Sequence, residues 1–252
     1  MSDLYWLTDA QMDRLRPFFP KSRGKPRVDD LRVLSGIIFI QRNGLMWKHA
    51  PAAYGPPKTL YNRWKRWSRM GVFATIMTEL AARAQETEIV MIDATHTKAH
   101  RTASSLAVKK GGRGRLIGRT KGGLNSKLHV LADAKGRPIQ MFLSAGQTSD
   151  YIGARVLLSS IPKAVALLGD RGYDADWFRN ALIEKGISPC IPSRIGRKVP
   201  IQHIADLYRL RHRIENKFAR LKDWRRIATR YDRCPILFLS ACALAATVIY
   251  WL

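Results

Sequence analysis

The first 80 residues carry a helical pattern of apolar and polar positions. Thr8 and Gln11 have the spacing of a capping box, and Asp29 or Asp30 can cap a second helix. After a stretch rich in Gly and Pro, Thr59 can cap a third helix. Its apolar residues share one face, namely Leu60, Trp64 and Trp67. We therefore predict a small all-α domain over residues 1–82.

The polar side of the third helix indicates what this domain contacts. It carries Asn62, Arg63, Lys65 and Arg66. A helix-turn-helix places a polar-faced second helix of this kind in the major groove of DNA. A helix-turn-helix-like DNA-binding domain is therefore one interpretation, and an ordinary helical bundle with a basic surface is the alternative.

From residue 87 the pattern changes to short apolar runs typical of strands. These runs are 88–93, 126–132, 139–144, 164–169 and 187–191. A helical pattern over 151–161 follows the third run, and another over 175–185 follows the fourth. One long helical pattern covers 201–231. Three strands followed by alternating helices and strands predict a mixed α/β sheet with flanking helices over residues 87–252. The last 17 residues, 236–252, are nearly all apolar and predict a buried closing helix rather than a membrane anchor, which needs ~20 apolar residues.

The charge balance argues against an enzyme that acts on neutral small molecules, because such an enzyme needs no large excess of positive charge. Lys and Arg number 44 against 19 Asp and Glu, a net charge of +25, and the sequence pI is about 10.7. Such an excess predicts a polyanionic partner, and nucleic acid is the default, which the helical domain above narrows to double-stranded DNA if it binds a major groove. The segment 98–127 has nine Lys or Arg and no acid among many glycines, and predicts a mobile basic loop on the phosphate backbone, or a plain surface loop. Only residues 141–196 are nearly balanced, with 6 basic against 5 acidic side chains.

Three cysteines and the first 20 residues bear on location. Cys190, Cys234 and Cys242 form no CxxC pair and no ligand cluster with His. An odd number in a long chain is typical of reduced thiols in the cytosol. The first 20 residues lack an apolar run of signal-peptide length, so we expect a cytosolic protein rather than a secreted one.

Acids at the ends of apolar runs are the strongest candidates for chemistry. Asp93 closes one run and Asp170 another, and side chains at neighbouring strand ends converge on one crevice. Two carboxylates there repel each other unless a cation lies between them, and hard oxygen ligands suit Mg²⁺ or Mn²⁺. Two such ions ~4 Å apart support phosphoryl transfer. Glu215, an isolated acid in a basic helix, is a candidate third ligand, or else an intrahelical ion-pair partner.

The spacing around Glu215 carries a family resemblance. Tyr208, Arg211, Glu215 and Lys222 lie 3, 4 and 7 residues apart, so they share one helical face. This spacing is similar to the YREK pattern of bacterial insertion-sequence transposases with a DDE active site. The segment Asp170-Arg171-Gly172-Tyr173-Asp174 resembles that family's second-Asp motif, and Met91-Ile92-Asp93-Ala94-Thr95 resembles the first.

Further segments extend the resemblance over nearly the whole chain. They are Arg27-Val28-Asp29-Asp30, Tyr61-Asn62-Arg63, the run from Ile117 to Leu124, and Arg230-Tyr231-Asp232. The resemblance implies a ribonuclease-H-like catalytic fold, Mg²⁺- or Mn²⁺-dependent cleavage at terminal inverted repeats, and strand transfer into target DNA. By that resemblance Asp93, Asp170 and Glu215 are the catalytic, metal-binding triad, and Arg211 and Lys222 hold DNA phosphate beside Tyr208.

The resemblance also bears on partners. With Asn62, Arg63, Lys65 and Arg66, the residues Arg119 and Lys121 of the basic segment complete the predicted DNA contacts. The resemblance implies that two DNA ends must be brought together, so we expect a homodimer. It also implies a location in the bacterial cytosol, associated with the nucleoid and not with a membrane. Asp170 and Glu215 lie 45 positions apart, which leaves no room for the large insertion domain of some relatives.

Two other functions fit parts of the pattern. A DNA-binding repressor derived from a transposase would need only residues 1–80, and a junction resolvase would prefer DNA structure over sequence. His96 and His100 could bind a metal if they were helical, and Asp174 and Asp176 are expected to cap the following helix. Asp133 is expected to be structural, in a turn, and His129 to lie on a strand.

Overall fold

The computed structural model describes residues 3–21, 29–84, 88–105 and 114–252. Arg27 and Val28 of the first family-like segment lie outside the described residues. So do residues 22–26 of the break after the first predicted helix, and residues 106–113 of the basic segment.

The described residues of the N-terminal part form four α-helices. They are α1 (Asp9–Leu15), α2 (Asp30–Asn43), α3 (Pro57–Arg69) and α4 (Val72–Arg83). The capping box of Thr8 and Gln11 is confirmed, and Asp29 caps α2 by accepting a hydrogen bond from the backbone of Leu31. Leu60, Trp64 and Trp67 share the buried face of α3, as the periodicity predicts.

The start of α3 differs from the prediction. The helix begins at Pro57, its N-cap is Pro56, and no side chain caps it, so the prediction that Thr59 is the cap is wrong. A proline at the first helical position has the right φ and lacks an N–H that would need a partner. The connection from α2 to α3, residues 44–56, contains two 3₁₀ turns and is much longer than the roughly four-residue turn of a standard helix-turn-helix.

A seven-stranded mixed sheet forms the centre of the second part. Its strands are β1 (Ile89–Ala99), β2 (Gly118–Thr120), β3 (Gly123–Ala132), β4 (Pro138–Ala145), β5 (Ala166–Gly169), β6 (Ser188–Cys190) and β7 (Thr229–Arg230). Strand β1 pairs antiparallel with β3 and parallel with β5, while β3 also pairs antiparallel with β2 and β4. Strand β6 extends the parallel side beyond β5, and β7 pairs with the far end of β1. This arrangement confirms the predicted mixed α/β class.

The remaining helices lie between and after the strands. They are α5 (Arg101–Ser104), α6 (Asp150–Leu157), α7 (Asp176–Glu184), α8 (Ala205–Arg209), α9 (His212–Lys222), α10 (Arg225–Ala228) and α11 (Pro235–Ala246). The predicted single helix over 201–231 is therefore wrong, because the chain divides into α8, α9, α10 and β7. Trp224 is extended and buried between α9 and α10, and this break lets α10 pack on α2.

The basic segment 98–127 is also more ordered than predicted. Its described residues form the end of β1, helix α5 and the β2–β3 hairpin. Arg119 lies on β2 and Lys121 lies in the hairpin turn, and both are exposed. The prediction of a loop through this region is therefore wrong at both of its ends.

Helix α11 joins the helical part to the sheet. It contacts α2, α3 and α4 on one side and β4 on the other, and most of its residues are buried. A helix that is apolar all round suits such a position, so the predicted buried closing helix is confirmed. Within the described residues, no helix has the length and apolar character needed to cross a membrane. The two parts share one hydrophobic core, and their division near residues 82–87 stays a prediction.

Candidate active site

Asp93 and Asp170 follow directly from the pairing of two parallel strands. Ile92 on β1 pairs with Gly169 on β5, and each aspartate is the next residue along its strand. Strand β1 itself continues to Ala99 against β3, so the prediction that the strand ends at Asp93 is wrong. The pairing with β5 is what ends there. The two strands separate at this point, and a crevice opens at the predicted edge of the sheet.

The carboxylate of Asp93 is buried and bound on both oxygens. Its Oδ1 accepts a hydrogen bond from the backbone of Ala94 at 2.8 Å, and its Oδ2 accepts one from Nη1 of Arg211 at 2.6 Å. Burial raises the pKa of Asp93 to about 6, because the charged form loses its hydration; Arg211 and the Ala94 N–H oppose this, and the charges of Asp170 and Glu215 add to it. Burial is therefore the main cost of charging Asp93, and the two neighbouring carboxylates add to it.

Asp170 is held by the turn that follows β5. It caps a 3₁₀ turn over Arg171–Tyr173, and its Oδ1 accepts a 2.8 Å hydrogen bond from the backbone of Gly172. A Cβ at position 172 would lie 2.9 Å from Oδ1 of Asp170 and 3.2 Å from Oδ2 of Asp150. A side chain at position 172 would therefore push the carboxylate of Asp170 away from this turn.

Arg211 joins Asp93 to Glu215. Glu215 lies in the first turn of α9, and Nη2 of Arg211 donates a hydrogen bond to its Oε1. Burial acts to lower the pKa of Arg211, but the negative charges around it, first that of Asp93, outweigh burial and leave this pKa raised. One guanidinium thus bridges carboxylates on β1 and α9.

Lys222 reaches the same strand from the other end of α9. Its Nζ donates a 2.7 Å hydrogen bond to Oγ1 of Thr95, and burial lowers its pKa. Tyr208 differs from the expectation of one continuous helix, because it lies on α8. Its ring nevertheless lies 5.8 Å from the guanidinium carbon of Arg211.

These side chains surround a cavity of about 450 Å³. Its lining includes the three predicted acids together with Thr95, Arg211 and Lys222. The chemistry of three carboxylates suits a hard divalent cation. In the described part of the chain, no three acidic, His or Cys side chains already lie within the spacing of a metal site. Arg211 instead provides the positive charge between Asp93 and Glu215.

The other predicted DNA contacts lie outside this cavity. Asn62 and Arg66 are exposed on α3, and Lys65 is half-buried. Arg63 pairs with Asp30 at 3.3 Å and lies over the ring of Trp67, so its guanidinium has a structural role that the sequence pattern did not indicate.

The surroundings of several other polar residues agree only in part with the predictions. Asp174 and Asp176 do not cap α7, whose N-cap is Ala175; Asp174 instead binds Arg179 and Arg197 in the interior. Asp133 stabilises a turn, as predicted, and His129 lies on β3. The condition for a His96–His100 metal pair, a helix, is not met, because His96 lies on β1.

Sequence reasoning gave no role to two contributors to the site. Thr95 lies two residues after Asp93, and this spacing on a strand could have placed both on one face. Asp150, which pairs with Lys127 at 2.8 Å, comes near Asp170 only through the turn at Gly172, and no local pattern indicates that contact.

The fold and the site define a class of α/β proteins. In this class, a cluster of carboxylates lies with Arg and Lys side chains in the crevice where two parallel strands separate. Residues 84–247, well over half of the chain, match the family model described as "Transposase DDE domain". The chain therefore belongs to the DDE transposase family. Residues 7–77 match a second model, described as "Putative transposase of IS4/5 family".

Individual relatives agree with this assignment. The "Putative transposase for insertion sequence element IS6501" of Brucella ovis is 32% identical over 129 residues, which cover 50% of this chain and 98% of that protein. The corresponding protein for IS402 of Burkholderia cepacia is 29% identical over 50% of this chain and 63% of its own length. A protein of Sinorhizobium fredii, y4sN, is 34% identical over 42% of this chain and 87% of its own length.

The chain is also similar to solved transposase structures. The piggyBac transposase synaptic complex with hairpin DNA has a TM-score of 0.49 at 8% identity, and covers 94% of this chain and 69% of its own. The Mos1 paired-end complex has a TM-score of 0.26 at 15% identity, and covers 91% and 80%. The family assignment rests on the sequence matches.

Proposed function

We propose that this transposase binds the terminal inverted repeats of an insertion sequence and catalyses metal-dependent cleavage and strand transfer of DNA. The observation that supports this most directly is the convergence of Asp93, Asp170 and Glu215 on one cavity with Arg211 and Lys222. Carboxylates hold divalent cations, and neighbouring Arg and Lys bind the phosphates of a nucleic acid. A cavity with both is suited to a phosphodiester.

The three carboxylates would hold one or two Mg²⁺ or Mn²⁺ ions. When bound, these cations supply Lewis acidity for the attacking oxygen and neutralise the charge that develops on the leaving oxygen. Asp93 and Asp170 are well placed for this, because the carboxylate of each accepts a hydrogen bond from a backbone N–H one or two residues further along the chain. Glu215 is the adjustable member, because its side chain is half exposed.

Arg211 and Lys222 would bind the phosphates that flank the scissile bond. Both line the cavity, and they stand at the two ends of α9. Lys222 is held against Thr95, which fixes the direction of its ammonium group relative to Asp93. Tyr208 lies beside Arg211 and would limit the movement of that side chain.

The flanking duplex would contact residues on two other surfaces. On α3 these are Asn62, Lys65 and Arg66, with Arg63 mainly supporting the helix, and on the β2–β3 hairpin they are Arg119 and Lys121. A homodimer would bring two transposon ends together. The surfaces are basic, so their contribution to affinity falls as salt rises.

A cleavage assay on the DNA that flanks the protein's own gene tests the proposal. Asp93→Asn, Asp170→Asn and Glu215→Gln should each abolish a nick that depends on Mg²⁺ or Mn²⁺ and is absent in EDTA, while DNA binding survives. Asp206→Asn is the matched control, because Asp206 is exposed and pairs only at the surface with Arg209. Tight binding by the wild type without any nick would favour the repressor function instead.

A further inference from the structure

A fourth carboxylate, that of Asp150, lies beside the turn that carries Asp170. Asp150 is the first residue of α6, the helix that follows β4. A Cβ at Gly172 would lie 3.2 Å from Oδ2 of Asp150 and 2.9 Å from Oδ1 of Asp170, so both carboxylates lie close to this one glycine. Asp150 is not among the described residues that line the cavity of the three predicted catalytic acids. The chemistry proposed above therefore leaves its charge without a role.

Lys127 on β3 holds Asp150 in an ion pair. Its Nζ lies 2.8 Å from Oδ1 of Asp150, and it also donates a 3.3 Å hydrogen bond to the backbone oxygen of Thr148. The side chains of Lys127 and Asp150 are only 10% and 24% exposed, so water and salt screen this pair less than a surface pair.

His129 lies on the same face of β3 and is fully buried, with its Nδ1 4.0 Å from Oδ1 of Asp150. Burial lowers the pKa of His129 to about 4, although the charge of Asp150 opposes this. The imidazole is therefore neutral at pH 7, and Lys127 is the cation that balances Asp150 in the described part of the chain.

The ion pair has a direction relative to the proposed catalytic site. Strand β1 lies between β3, which carries Lys127, and β5, which leads into Asp170. Helix α6 packs against β1, β3 and the 3₁₀ turn after β5. Asp150 thus connects the two sides: one oxygen binds the cation on β3, and the other faces the turn of Asp170. The negative end of the pair lies toward Asp170, and the positive end lies on the other side of β1.

The surroundings of Tyr173 agree with this direction. Its side chain is fully buried, and among the described residues its hydroxyl has no hydrogen-bond partner. Burial raises the pKa of Tyr173 well above its ordinary value, and the charges of Asp150, Asp93 and Asp170 add to this effect, first that of Asp150. The charge of Asp150 therefore acts on the side of the sheet edge where Asp93 and Asp170 lie.

We propose that Asp150 is a positioning residue that raises the affinity of the Asp93, Asp170 and Glu215 carboxylates for a divalent cation without binding the cation itself, and that Lys127 limits this effect. A negative charge behind Asp170 attracts a cation, and repulsion between the two carboxylates turns Asp170 away from α6. Residues that lie behind metal ligands commonly change metal affinity by about 10-fold or more. The inference rests on the proposed function, because it takes the three acids as the metal-binding set.

Calorimetric titration of the full chain with Mn²⁺, without DNA, tests the inference. Asp150→Asn should lower Mn²⁺ affinity about 10-fold, because a negative charge is lost and Lys127 is left unpaired. Lys127→Met should raise the affinity several-fold, because the charge of Asp150 is then unbalanced. The double variant should lie between the two. Opposite shifts from the two partners distinguish an electrostatic role from a structural one, in which both variants would lose affinity together.

Asp30→Asn is the matched control for stability. Asp30 pairs with Arg63 in the helical part at a similar burial, with side chains 10% and 17% exposed. This variant should lower the free energy of unfolding in urea and leave Mn²⁺ affinity unchanged.

Asp170→Asn separates the inference from the proposed function, and it should lower Mn²⁺ affinity more than Asp150→Asn does. If Asp170→Asn has this effect while Asp150→Asn and Lys127→Met both leave the affinity unchanged or both lower it, the inference is overturned and the proposed function stands. If Asp170→Asn leaves Mn²⁺ affinity unchanged, or the wild type binds no Mn²⁺, both are overturned.

Discussion

Arg211 Nη1 donates a 2.6 Å hydrogen bond to Oδ2 of Asp93 across 118 residues of the chain. The same guanidinium binds Glu215 through its other terminal nitrogen. Arg211 therefore occupies carboxylate oxygens that a divalent cation would need. A DNA phosphate that attracts the guanidinium would release those oxygens.

Arg211→Ala should consequently change metal binding and cleavage in opposite directions. We expect Mn²⁺ affinity without DNA to rise about 10-fold, which corresponds to ~1.4 kcal/mol, because a competing cation is removed. Cleavage should fall, because a phosphate contact is lost. Calorimetric titration with Mn²⁺ measures the first effect, and Arg209→Ala, an exposed surface change, is the control. Unchanged Mn²⁺ affinity would show that the bridge does not compete with metal.

Gly172→Ala should disable the site without unfolding the protein. The added methyl would contact Oδ1 of Asp170 at 2.9 Å and force that carboxylate to move. A displacement of this size should lower the cleavage rate by about 10-fold or more. Gly196→Ala is the matched control, since no heavy atom of the described residues lies within 4 Å of its Cβ. If both variants cleave at the wild-type rate, the turn does not position Asp170.

Substitutions of Arg63 and Arg66 on α3 should have different effects, because Arg63 has a structural role and Arg66 is expected to contact DNA. Arg66 is exposed, so Arg66→Ala should weaken DNA binding and lower the salt dependence of the affinity by about one phosphate contact. Arg63→Ala should instead lower the free energy of unfolding by about 1 kcal/mol, through loss of its Asp30 pair and its contact with Trp67. Urea unfolding and DNA binding at several salt concentrations measure the two effects. An Arg63 variant with normal stability would contradict this division.

The carboxylate of Asp174 should make the free energy of unfolding depend on pH in the acid range. Burial acts to raise its pKa, but hydrogen bonds from Arg197, Arg179 and the Arg194 backbone outweigh burial and hold the pKa at about 2. A depressed pKa contributes stability that is present above the unfolded value of 3.8 and is lost as pH falls toward 2. The contribution at pH 7 is about 2 kcal/mol.

Asp174→Asn should therefore be destabilised at pH 7, and the difference from wild type should shrink as pH falls from about 4 to 2. Urea unfolding across this range measures it. Asp176→Asn provides the comparison, because Asp176 is exposed and shares only Arg197. A difference that stays constant with pH would assign the effect to packing rather than charge.

The sequence by itself determined the elements whose signals are local. The capping box at Thr8, the buried face of α3 and the strand runs of the sheet follow from periodicity and caps, because these depend on residues a few positions apart. Asp93 and Asp170 stood out because acids followed apolar runs. The DDE roles themselves came from a family resemblance and stay proposals for these residues.

Tertiary structure decided where those elements meet. That β1 runs six residues past Asp93, and that only its pairing with β5 stops there, depends on two partner strands far apart in the chain. The division of 201–231 at Trp224 depends on packing that a helical period does not encode. The bridge from Arg211 to Asp93 likewise arises only when distant segments share one core, because contact energies between such segments leave no periodic trace in the local sequence.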